Sequence, residues 1–177
     1  MLTTGFHEWK LVVMKSRDPT SSPFSPQTEA ITSLTLTVFR LNGELLQWGD
    51  ALVEPLGLTS ARWQMLGAIA LAGVPLTAPQ IGQAMGVTRQ GAQKQLNLLL
   101  EQGFIESRPN PAHRRSPQYV MTPQGRELYL QAEGLWAEQT AELAARIPAA
   151  QVQSAVKTLE SMLQQLQPLN HPLEIES

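Results

Sequence analysis

The sequence predicts a mainly α-helical protein with one small β hairpin set into it. Three observations carry that expectation. Apolar residues recur at helical spacing in two long stretches, one starting near Ile31 and one near Val152. Shorter helical patterns, punctuated by threonine and glycine, fill residues 59–103. Two short β-forming runs, 104–108 and 117–121, flank the proline-rich loop Pro109-Asn110-Pro111-Ala112-His113-Arg114-Arg115-Ser116.

Residues 1–28 are rich in Ser, Thr and Pro and are expected to form a flexible leader, within which Met14 is as good a start as Met1. Thr28 is the expected cap of the first helix. Ile31, Leu34, Val38, Leu41, Leu45, Trp48 and Leu52 follow at alternating spacings of three and four, an a/d stripe. Gly43 and Gly49 lie inside it, and each costs roughly 1 kcal/mol relative to alanine, so packing must hold this helix together. Glu54-Pro55 ends it, because a residue before proline avoids helical angles.

Thr59 or Ser60 caps the next helix, which runs to Leu71 ahead of Gly73. Thr77, with Pro79 in the first turn, opens a short helix to Met85, and Gly86 breaks the chain. Thr88 caps a helix to about Gln102, stopped by Gly103. After the hairpin, Thr122-Pro123 opens a long helix to about Arg146. Pro148 opens the last one, to about Gln167, with Val152, Ala155 or Val156, Leu159, Leu163 and Leu166 as its stripe. Residues 168–177 read as a loose tail.

With 177 residues, 42% of them hydrophobic, the chain can build one domain with a real core, expected over 29–167. It has no cysteine, which excludes disulfides, thiolate zinc sites and cysteine redox switches. No apolar run approaches the ~20 residues of a membrane span, and a cytoplasmic location without membrane contact is expected. His7, His113 and His171 show no ligand spacing, and there is neither a G-x-S-x-G turn nor a phosphate loop. No catalytic residue, metal or cofactor is therefore expected.

The net charge of -2 hides an uneven distribution. Residues 59–126 carry seven arginines and lysines against two glutamates, a balance of +5 between acidic flanks. Such an island is the footprint of a phosphate-binding surface. The order helix, glycine turn, helix, hairpin over 59–122 is that of a winged helix-turn-helix, with Gly82 letting two helices approach and Gly86 making the turn. Along the helix after Thr88, Ala92, Leu96, Leu99 and Leu100 form the inner side. Thr88 stands at its start, and Arg89, Gln90, Gln93, Lys94 and Asn97 face outward. In a major groove, arginine suits guanine, and glutamine or asparagine suits adenine. Arg114 and Arg115, at the hairpin tip, can reach a narrow minor groove, where the negative potential is strongest. Arg108 is a candidate phosphate contact.

Residues from about 59 to 126 resemble the DNA-binding core of the MarR family of transcriptional regulators. Gly86-Val87-Thr88-Arg89-Gln90-Gly91-Ala92, then Leu99-Leu100-Glu101-Gln102-Gly103-Phe104-Ile105, is similar to its recognition helix and first wing strand. His113-Arg114-Arg115-Ser116, then Met121-Thr122-Pro123-Gln124-Gly125, is similar to its wing signature, Asp-x-Arg-Ser followed by Leu-Thr-x-x-Gly. The resemblance gives Arg115 the place of the family's minor-groove arginine. His113 stands where the family has an acidic residue, which would orient that arginine.

What the resemblance implies is a homodimer paired through helices 29–54 and 123–167, holding palindromic duplex DNA. It further implies a repressor relieved by a small-molecule effector. Trp48, Trp63, Met65 and Trp136 are either ordinary core residues or the lining of an effector cavity. The absence of cysteine excludes the family's thiol peroxide sensors. The alternative is a winged helix used as a protein-interaction module.

Overall fold

The computed structural model describes residues 24–170, with side chains as far as residue 166. The chain divides into a unit ending at Trp48 and a second beginning at Gly49. Helix α1 (Pro26–Val53) crosses that boundary. Its start lies before the expected cap: Ser25 Oγ accepts a hydrogen bond from the Thr28 amide at 3.2 Å, and the Ser25 carbonyl accepts one from the Glu29 amide at 3.0 Å. Residues 26–28, assigned by sequence to the leader, are thus helical, because Ser25 offers the first cap. The rest of the predicted leader, 1–23, lies outside the described residues. In the first unit no described residue is buried, and Ile31, Leu41 and Leu45 of the stripe are exposed.

The second unit opens with the last turn of α1, where Gly49 is buried. A Cβ on Gly49 would come within 2.7 Å of Ser60 Oγ, so this glycine has a packing reason inside the chain, whereas Gly43 has none within 4 Å. Next to it, the Ser60 amide donates to Asp50 Oδ1 at 2.6 Å. A single 3-10 turn, Glu54–Leu56, with Pro55 in it, then leads to α2 (Ser60–Ala72). Thr59 is the cap, its side chain accepting from the Arg62 amide at 3.3 Å.

A two-residue strand, β1 (Leu76–Thr77), precedes α3 (Ala78–Ala84) and α4 (Arg89–Glu101). Strands β2 (Ile105–Arg108) and β3 (Gln118–Met121) form the hairpin, followed by α5 (Pro123–Ala144) and α6 (Ala149–Asn170). The Pro148 carbonyl accepts from the Gln151 amide at 2.9 Å, so proline ends up just before the last helix rather than inside its first turn. Residues 168–170, read as tail, continue that helix; 171–177 lie outside the described residues.

The sheet is antiparallel with order β1-β3-β2. Ile105 pairs with Met121 and Arg108 with Gln118 across the hairpin, while Leu76 pairs with Tyr119 on the other side. Sequence reading missed β1, since a two-residue strand has no periodicity to detect. Beneath the sheet, Leu66 and Met65 of α2, Ile81 of α3, and Ala92, Leu96 and Leu99 of α4 form one buried core with Ile105, Tyr119 and Ala132.

Two close approaches shape this region. A Cβ on Gly82 would meet the Val87 carbonyl oxygen at 2.9 Å, which is why α3 and the turn after it can touch. A Cβ on Gly125 would overlap the Phe104 carbonyl outright. That contact seats the start of α5 against the base of the hairpin. Thr122 secures the same junction, its hydroxyl donating to the Gly103 carbonyl at 2.8 Å and accepting from the Gly125 amide at 3.1 Å. Further along α5, burial pushes the Tyr129 phenol above its ordinary pKa, and the neighbouring Glu133 adds to the effect.

Candidate nucleic-acid interface

Helix α4 begins at Thr88, whose side chain accepts from the Gly91 amide at 3.0 Å. Ala92, Leu96 and Leu99 then lock one face into the core. This leaves Thr88, Arg89, Gln90, Lys94 and Asn97 exposed, as their spacing predicts. Arg89 and Lys94 have no charged or hydrogen-bonded partner among the described residues. Cations left unpaired on a well-ordered helix face are free to meet phosphate or base edges.

Gln93, on the same side of α4 as Asn97, differs from these cations in being engaged. It is half-buried, and its Nε2 donates to Tyr119 Oη at 2.9 Å and to Asn97 Oδ1 at 2.9 Å. Tyr119 is 2% exposed on β3, so this bond ties the outer face of α4 to the middle strand of the sheet. The sequence reading did not single out Tyr119, because the reach of its hydroxyl needs three-dimensional packing to be seen.

The loop between β2 and β3 is organised by Asn110, which sequence reading passed over. Its Oδ1 accepts from the Ala112 amide at 3.1 Å, and its Nδ2 donates to the Ser116 carbonyl at 2.9 Å. Asparagine before proline was the available signal, since its side chain readily closes such turns. The Ser116 amide donates to the His113 carbonyl at 3.0 Å, closing the turn that carries Arg114 and Arg115. Both arginines are exposed and have no partner among the described residues. His113 bonds within the loop through its backbone, its amide donating to the Asn110 carbonyl at 3.2 Å.

Arg108 is placed differently. Its Nη2 lies 2.7 Å from Glu106 Oε1, with Nε donating to the same oxygen at 3.0 Å. Its charge is already answered by a neighbour two residues away. Arg62 likewise donates to Gln102 Oε1 at 2.9 Å.

The four residues considered for an effector cavity divide between the two units. Met65 is 1% exposed and belongs to the core, because α2 buries more of its circumference than a single stripe. Trp63 and Trp136 meet edge to face, ring centroids 5.5 Å apart. Trp48 belongs to the first unit. A cleft of about 320 Å³ lies between the end of α2, β3 and the start of α5. Ile69, Val74, Pro75, Val120 and Met121 line it with Arg108 and Arg126.

The family model described as MarR family matches residues 56–116, from the 3-10 turn to the tip of the wing. An uncharacterized protein of Mycobacterium tuberculosis is 41% identical over 101 residues, covering 57% of this chain and 69% of the relative. The crystal structure of the M. tuberculosis regulator MosR in complex with DNA superposes with a TM-score of 0.62 at 23% identity, covering 75% of this chain and 97% of that one. A mutant MarR from Escherichia coli complexed with operator DNA gives the same TM-score at 23% identity, covering 81% and 100%. Those two likenesses show the fold. Taken with the family model and the mycobacterial relative, they establish that this chain, a winged helix-turn-helix between long terminal helices, belongs to the MarR family.

Proposed function

We propose that the protein is a sequence-specific duplex-DNA-binding transcriptional regulator, not an enzyme, and that it acts as a homodimer. The observation that carries this reading is the contrast among its cations. Arg89, Lys94, Arg114 and Arg115 stand exposed without partners among the described residues, on a capped helix and an Asn110-braced loop, while Arg108 and Arg62 are already engaged. Helix α4 enters the major groove and reads base edges; the wing tip follows the adjacent minor groove. Fold relatives solved with DNA, MosR and the E. coli MarR, support the same reading.

Pairing of two chains through the terminal helices sets two copies of α4 about 34–36 Å apart, to match a palindromic operator. A dimer so seated over a promoter excludes polymerase, which makes repression the simplest mode. A small effector that changes the spacing between the two helices relieves it.

Binding to a duplex selected from a random pool tests the proposal. Affinity falls steeply with salt, because phosphate contacts release counterions. Arg115→Ala weakens binding by roughly 1–3 kcal/mol with the fold intact, and Arg108→Ala by less than about 1 kcal/mol. Unchanged affinity on removing Arg115 takes the wing out of the mechanism. Absence of salt-sensitive duplex binding removes the function.

A further inference from the structure

Resting on that DNA-binding reading, we infer that Tyr119 is a positioning residue that restricts Gln93 to accepting hydrogen bonds, so that α4 reads an exocyclic amine in the major groove.

A glutamine amide offers two N–H donors from one nitrogen and one acceptor oxygen. In this protein both donors are spent inside the chain. One goes to Tyr119 Oη and the other to Asn97 Oδ1, each at 2.9 Å. Gln93 Oε1 has no partner among the described residues. The familiar pairing of glutamine with adenine uses both functions at once, donating to N7 while accepting from N6. With its nitrogen saturated, Gln93 cannot make that pair. Its oxygen accepts from adenine N6 or cytosine N4, and finds no donor on the major-groove edge of guanine or thymine.

The restraint is built into the fold. Tyr119 is 2% exposed, held by pairing with Ser107 on one side and Leu76 on the other, so its hydroxyl cannot swing away. Asn97 lies one turn along α4; its oxygen already accepts one bond from Gln93, while both donors of its own amide stay unspent among the described residues. The outer face therefore presents an acceptor at Gln93 followed by donors at Asn97. An amide side chain without these bonds would offer both at either position.

Selection from a random duplex pool with wild type, Tyr119→Phe and Gln93→Glu decides it. Wild type is expected to accept adenine or cytosine, and to reject guanine and thymine, at one position per half-site. Tyr119→Phe keeps the ring in the core and frees one Gln93 proton. Preference at that position then narrows to adenine, with cytosine sites falling at least about fivefold relative to adenine sites. Gln93→Glu keeps an acceptor and retains the adenine-or-cytosine choice, at lower affinity on every sequence because of its added negative charge. A guanine or thymine requirement in wild type overturns the inference, since it would mean that donors face the groove. So does a preference at that position that neither substitution alters. Both outcomes leave DNA binding itself standing, whereas a wild type that selects no sequence overturns the proposed function instead.

Discussion

The winged region and the terminal helices solve the same problem in opposite ways. Between residues 53 and 132 the apolar residues converge, with Leu66, Ile81, Leu96 and Leu99 each at 0% exposure. In the first unit, and along α6, stripe residues stay open: Ile31, Leu41, Leu45, Val152, Val156 and Leu163 are all exposed. Ordinary soluble surfaces scatter their large apolar residues singly rather than in heptad register. One region is complete within a single chain. The other leaves apolar stripes uncovered among the described residues, the surface that the proposed homodimer would bury.

The largest effect that sharpens this contrast is in the core. Leu66→Ala empties part of a fully buried site and is expected to cost about 2–5 kcal/mol, read from urea denaturation. A smaller loss would show that the winged region is not the self-sufficient half. Leu163→Asp comes next. In an isolated chain a substitution at an exposed helix position changes stability by no more than about 0.5 kcal/mol. In a dimer it buries a charge, and the dissociation constant seen by sedimentation rises at least about tenfold, or ~1.4 kcal/mol. An unchanged association constant would break the comparison, leaving the stripe an ordinary solvated face.

The smallest effect belongs to Gly43. Alanine there meets nothing within 4 Å in this chain, so Gly43→Ala is expected to stabilise α1 by roughly 0.5–1 kcal/mol, visible as a modest rise in melting temperature. A fall would mean that a second copy packs against the bare backbone at that point.

Much of this molecule was legible before any coordinates. Thr59, Thr77, Thr88 and Thr122 announce helix starts, and glycines at 73, 86 and 103 announce stops, since all three adopt left-handed backbone angles near +65 to +74°. The inner face of α4 followed from spacing. The ends were harder. Ser25 took the cap expected of Thr28, and the last helix ran three residues past Gln167, because several neighbouring residues can serve as a boundary and local preference does not choose among them.

The candidate site divides along the same line. Which residues stand on the outer face of α4, and that two arginines crown the wing, depends on periodicity and turn chemistry, both local, and the sequence determined them alone. Whether a side chain there is free is not local. Arg62 reads like Arg115 in sequence, yet Gln102, 40 residues away, engages its guanidinium, while Arg115 has no partner among the described residues. Gln93 reads like Gln90, yet the hydroxyl of Tyr119, 26 residues away, consumes its donor. Hydrogen-bond capacity is spent between elements that only the tertiary structure brings within 3 Å, so it is the folded chain, not the order of its residues, that decides which groups remain to be read by a partner.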